Sequence, residues 1–106
     1  MRSKNLAAPS IDKETAAQCQ TVATIFQSLS HPTRLKILCA LLDGPQSVGF
    51  LADYCELSQA NTSQFLARMK EDELIDSERN GRNVLYRVSD PKLFKLLASV
   101  RNLYCR

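Results

Sequence analysis

The chain has 106 residues, 44% hydrophobic and 24% charged, enough for one domain with a real but modest core. Its 14 Lys and Arg against 11 Asp and Glu give a formal net charge of +3, compatible with a nucleic-acid partner but too small to argue for one alone. No apolar run approaches the ~18 residues of a membrane span, and the opening MRSKNLAAPS has no long apolar stretch of the secretory kind, so a cytoplasmic protein without a membrane partner is expected.

Residues 1–10 are polar, end in Pro-Ser and read as a flexible N-terminal arm to a single domain over 11–106. The spacing predicts a first helix over 11–29, with Cys19, Val22, Phe26 and Leu29 on one stripe. The run SHPTR stops it: Pro32 disfavours helix at His31 but suits the first position of a second helix, expected over 32–42 and closed by Gly44 and Pro45. A short third helix over 48–55 presents Val48, Leu51, Ala52 and Cys55 on one side. Ser58 is a good N-cap for a fourth helix that reaches Asp72 and carries Phe65, Leu66 and Met69 on its apolar side.

The hydrophobic period then changes from helical to alternating. LIDSERNGRNVLYRVS alternates on both sides of Asn80-Gly81, a strong hairpin signal. Pro91 opens a last helix with Leu93, Leu96, Leu97, Val100, Leu103 and Tyr104 on one stripe.

Two short helices joined by a tight turn, followed at once by a hairpin, make a mainly α fold with a β-hairpin wing: a winged helix-turn-helix. Such a unit sets the N-terminal residues of its second helix against base edges in the major groove. Here those residues are SQANTSQ, in which Gln59, Asn61, Thr62, Ser63 and Gln64 can donate and accept hydrogen bonds at bases and phosphates. Arg68 and Lys70 follow on the same helix. Arg79, Arg82 and Arg87 surround the hairpin turn, where cations can follow a phosphate backbone or enter a minor groove. Each feature alone is ordinary solvated surface. Their order along the chain points to double-stranded DNA as the partner.

The stretches LSHPTRLKILCALL, SVGFLADYCELSQANTSQFLARMKEDELI and RNGRNVLYRVSD resemble the ArsR/SmtB family of bacterial winged-helix repressors, from about Phe26 to the end of the chain. The resemblance implies a homodimer through the first and last helices and a palindromic site. Many members of that family carry His where Phe65 stands, a difference that implies altered local packing rather than lost DNA binding.

Family members differ mainly in inducer. The Cys-x-Cys of one metal-sensing type has only Cys55 as a counterpart in FLADYCEL, and the Asp and His pairs of another are absent from KLFKLLASVRNLYCR. The single histidine, His31, fits a helix-capping or surface role, so a conventional zinc site is poorly supported and no cofactor is expected. Cysteine in ILC and again in LYC resembles the BigR/SqrR/YgaV/HlyU subgroup, whose matching pair senses reactive sulfur species or oxidants through a disulfide or polysulfide bridge. The resemblance implies Cys39 and Cys105 as the sensing thiols. From the residues alone Cys39 reads equally as core, since Leu35, Leu38, Cys39 and Leu42 share a face. Cys105 stands off the main apolar stripe. At a helix C-terminus its thiolate is disfavoured, while Arg101 and Arg106 oppose that effect.

Cys19 and Cys55 fall on apolar stripes and read as packing residues, with a metalloid (arsenite-type) site as their sharper alternative. A thiol enzyme has no support, because no His or acid is paired in a motif with a cysteine and there is no cofactor loop. A winged module that contacts only protein would bind with little dependence on salt.

Overall fold

The computed structural model describes residues 11–105. The arm expected over 1–10 and the expected influence of Arg106 lie outside them.

Helix α1 (Lys13–Leu29) starts two residues later than the sequence suggests, because Asp12 is its N-cap. The Asp12 carboxylate accepts a 2.7 Å bond from the Thr15 amide, which also holds its pKa below the usual value. Helix α2 (Pro32–Leu41) has Pro32 at its start and His31 as N-cap, with Nδ1 accepting from the Thr33 amide at 3.2 Å. It ends in a turn containing Gly44, whose φ of 134° suits glycine. A two-residue strand β1 (Gln46–Ser47) leads into α3 (Val48–Cys55) and α4 (Gln59–Glu71). Ser47 caps α3 through the Phe50 amide and Ser58 caps α4 through the Asn61 amide.

Strands β2 (Ile75–Asn80) and β3 (Asn83–Val88) form the hairpin, and β1 joins it antiparallel to give the order β1-β3-β2. Asn80 pairs with Asn83, so the loop is Gly81-Arg82 rather than centred on Asn80-Gly81. Only the first loop position has a positive φ, 67° at Gly81, the pattern of a type II′ turn. One residue of register therefore puts Arg82 at the tip of the wing. Helix α5 (Pro91–Tyr104) closes the fold, with Asp90 as N-cap.

The core lies where α2, α3, α4, the base of the wing and α5 meet, and contains Ile37, Leu38, Leu41, Leu51, Leu66, Met69, Ile75 and Leu97. Helix α1 contributes little: Leu29 is its one buried residue among those described, with Ile25 packed beside the core. The stripe expected to be inside is outside, with Val22 and Phe26 46% and 55% exposed and Cys19 exposed as well. Packing within the chain is thus the wrong account of Cys19. It is the right account of Cys55, which is buried at the end of α3. The far end of α5 repeats the pattern of α1, with Leu103 73% and Tyr104 82% exposed.

Candidate DNA interface and dithiol

Helix α4 presents Gln59, Asn61, Ser63, Gln64 and Arg68 to solvent. Thr62 departs from that set. It is completely buried, and its hydroxyl donates to the Ser58 carbonyl at 2.9 Å, so it braces the first turn and offers nothing to a base. The reason is helical period: Thr62 lies one turn before Leu66 and the next step before Met69, both of them core residues.

The cations divide into tied and untied. Arg68 reaches Asp72 at 3.5 Å, Arg87 donates to Glu78 at 2.8 Å across the hairpin, and Lys70 donates to Ser77 Oγ at 2.7 Å, linking α4 to the wing. Arg79 and Arg82 have no ion pair or side-chain hydrogen bond among the described residues and are exposed on the wing and at its tip. A cation already held by a carboxylate must give up that partner to meet a phosphate. These two give up only water.

Phe65 is half-buried on α4, and its ring lies 5.3 Å from the ring of His31, tilted by 56°. The contact joins the start of α2 to α4, an aromatic packing role for Phe65. Arg34 on α2 donates to the Ser28 carbonyl of α1 at 3.2 Å and reaches Asp72, the C-cap of α4, at 3.9 Å.

The second feature lies where α2 meets α5. Cys39, near the end of α2, is half-buried, and Cys105, the C-cap of α5, is exposed. Burial pushes the Cys39 thiol pKa up. A charge on Cys105 pushes it up further, Arg101 opposes this, and Asp43 adds to it. Helix α2 packs on α5, so the fold brings the ends that carry the two thiols together, although 66 positions separate Cys39 from Cys105 in the chain. Arg101 donates to Asp43 at 3.3 Å beside them. Periodicity does not show this ion pair; its local sign is spacing, Asp43 four residues after Cys39 and Arg101 four before Cys105. Burial also raises the Cys55 thiol pKa, with Lys36 opposing. No group of three potential metal-ligating side chains occurs among the described residues, and no helix there is long and apolar enough to cross a membrane.

Residues 31–77 match the model of the bacterial regulatory protein arsR family. The HTH-type transcriptional regulator YgaV of Escherichia coli is 39% identical over 84% of this chain and 91% of its own length. The transcriptional activator HlyU of Vibrio cholerae is 31% identical over 93% of this chain and 92% of its own. The structure of reduced HlyU matches with a TM-score of 0.83 at 30% identity, covering 90% of this chain and all of that one. The crystal structure of the transcriptional repressor BigR of Xylella fastidiosa matches with a TM-score of 0.79 at 29% identity, over 88% of this chain and 92% of that one.

Proposed function

The chain belongs to the arsR family of bacterial transcriptional regulators, and from that we propose that it is a homodimeric repressor released from operator DNA when Cys39 and Cys105 become bridged. The observation that carries the reading is the packing of α2 on α5, where the Arg101–Asp43 ion pair at 3.3 Å brings together the ends that carry the two thiols. Reactive sulfur species and oxidants are the inducers that this chemistry accepts.

The dimer reading rests on uncovered apolar side chains. Val22 and Phe26 on α1, and Val100, Leu103 and Tyr104 on α5, stand in water in the single chain, a patch that a partner copy would bury. Two-fold symmetry then sets the two α4 helices about one DNA turn, ~34–36 Å, apart. Exposed Gln59, Asn61, Ser63 and Gln64 meet base edges, and Arg68, Arg79 and Arg82 meet phosphates.

The switching chemistry balances with a persulfide as co-reactant. The exposed Cys105 thiolate attacks the sulfane sulfur of a persulfide RSSH, forming Cys105–SSH and releasing RS⁻. Cys39, once deprotonated, attacks the Cys105 sulfur and expels HS⁻, leaving a disulfide. Both thiols have then been oxidised by one electron each, and the sulfane sulfur has been reduced to sulfide. If each thiol first takes one sulfur, attack by the Cys39 persulfide anion on the Cys105 sulfur expels HS⁻ and leaves a trisulfide. With glutathione disulfide, the same two displacements release two glutathione thiols and leave a plain disulfide.

The bridge ties α5, the dimer helix, to α2, which is built into the core beneath the helix-turn-helix. It acts on DNA affinity only through its different cost in the bound and released dimer shapes, and a difference of ~1–3 kcal/mol is enough for regulation. The test is operator binding by reduced protein before and after anaerobic glutathione persulfide, using a duplex selected from a random pool. Persulfide should weaken binding by wild type and leave Cys39→Ser and Cys105→Ser bound. Equal weakening in both variants would reject the dithiol switch.

A further inference from the structure

The ion pair and the two thiols share one helical register. Asp43 follows Cys39 by four residues in the turn just past α2, and Arg101 on α5 precedes its C-cap Cys105 by four. Arg101 reaches Asp43 at 3.3 Å, and Cys105 comes within coulombic reach of Cys39. Four residues forward from Cys39 thus meet four residues back from Cys105, which makes the ion pair and the pair of thiols neighbouring rungs where α2 packs on α5. The rungs are also tied through the backbone, because the Cys105 amide donates to the Arg101 carbonyl at 2.8 Å. Wherever Arg101 is held, Cys105 follows.

This pair is poorly placed to stabilise the fold. The Asp43 side chain is 72% exposed and that of Arg101 35%, the setting in which ion pairs contribute little. Its location gives it a different use. Among the described residues, the charged and titratable groups bearing on Cys39 are Cys105 and Arg101 from α5 and Asp43 at the end of its own helix. We propose that Asp43 and Arg101 are positioning residues of the dithiol: the pair sets the α2–α5 register that brings Cys105 to Cys39, and its two charges act with opposite sign on the thiolate that Cys39 forms to close the bridge. This rests on the dithiol reading above and identifies what controls its closing step. In that step the Cys39 proton goes to solvent, the Cys39–Cys105 bond forms, and the electron pair of the broken bond leaves with HS⁻ or with glutathione thiolate.

A purely structural tie and an electrostatic one predict different patterns. Loss of either partner loosens the register equally, whereas the guanidinium favours the Cys39 thiolate and the carboxylate opposes it. Full-length reduced protein is therefore compared as wild type, Asp43→Asn, Arg101→Gln and Arg101→Lys, with glutathione persulfide and glutathione disulfide as probes. Mass spectrometry of acid-quenched samples separates protein modified only at Cys105 from bridged protein. Iodoacetamide labelling over a pH series gives the Cys39 midpoint.

At pH above that midpoint, where the thiolate is formed in every variant, Asp43→Asn and Arg101→Gln should each close the bridge about threefold more slowly, a size typical of a screened surface charge contact. The Cys39 midpoint should move up in Arg101→Gln, down in Asp43→Asn, and return toward wild type in Arg101→Lys. Midpoints that move together, or closure rates that match wild type, overturn the proposal while leaving the dithiol switch intact. Wild-type protein that forms no bridge with either probe overturns the dithiol reading and this proposal with it.

Discussion

Replacing Arg79 or Arg82 with Ala should change the salt dependence of operator binding more than it changes the fold. Both side chains are exposed on the wing and have no ion pair among the described residues, so neither substitution breaks an internal contact. In a two-fold dimer each substitution removes two phosphate contacts. At about 0.9 released counterions per contact, the slope of log K against log salt falls in magnitude by ~1.8. Between 50 and 200 mM salt, a fourfold range, that slope difference makes the variant's deficit about twelvefold larger at the low-salt end. Arg87→Ala is the internal control, since its guanidinium is already held at 2.8 Å by Glu78; its slope should change by less. The assay is fluorescence anisotropy of a labelled duplex over a salt series, with each variant first checked as a folded dimer. A slope unchanged in both Arg79→Ala and Arg82→Ala would refute the assignment of the wing tip to the phosphate backbone.

Three further outcomes follow from the same structure. Thr62→Val should lower stability by about 1 kcal/mol through loss of the buried hydrogen bond to Ser58, with the choice of operator sequence unchanged; thermal melts and a base-substitution panel check both halves. Phe26→Asp and Leu103→Asp should shift the protein toward monomer in sedimentation velocity, because each places a charge in the patch assigned to the partner copy. Cys39 should label at a higher pH than the same cysteine in unfolded chain, since burial and Cys105 raise its pKa. A raised thiol pKa means that the fold favours the protonated form. Its contribution is therefore fully present below the unfolded pKa and lost as pH rises through the folded one, and Cys39→Ser should flatten that alkaline loss in urea melts.

Much of this architecture is legible in the residues because local rules agree with the global ones. Pro32 and Pro91 mark helix starts, Ser58 caps α4, and the change from helical to alternating period at Leu74 marks the wing. The two-residue β1 escapes such reading: Gln46 and Ser47 form a strand only because Tyr86 and Leu85 lie opposite them. The hairpin register slips by one for a similar reason. Asn-Gly names a turn, but strand pairing decides which two residues are left unpaired. Thr62 and Cys19 show opposite failures. A polar residue in a polar run is buried because period puts it above Leu66, and a cysteine on an apolar stripe is exposed because nothing in the single chain covers the Cys19, Val22 and Phe26 face of α1. The packing that brings the ends of α2 and α5 together, with Arg101 on Asp43, lies beyond periodicity altogether. It depends on how α5 crosses α2, a tertiary fact to which the resemblance pointed and local pattern did not.

The central claim is the bridge, and peptide mass mapping tests it most directly. Reduced protein is treated anaerobically with glutathione persulfide, with glutathione disulfide in parallel, then digested and mapped without reductant. The account predicts a crosslinked peptide pair containing Cys39 and Cys105 in both samples, joined by a plain disulfide after glutathione disulfide and by a disulfide or trisulfide after the persulfide. Free, unmodified Cys39 and Cys105 after both treatments would contradict it.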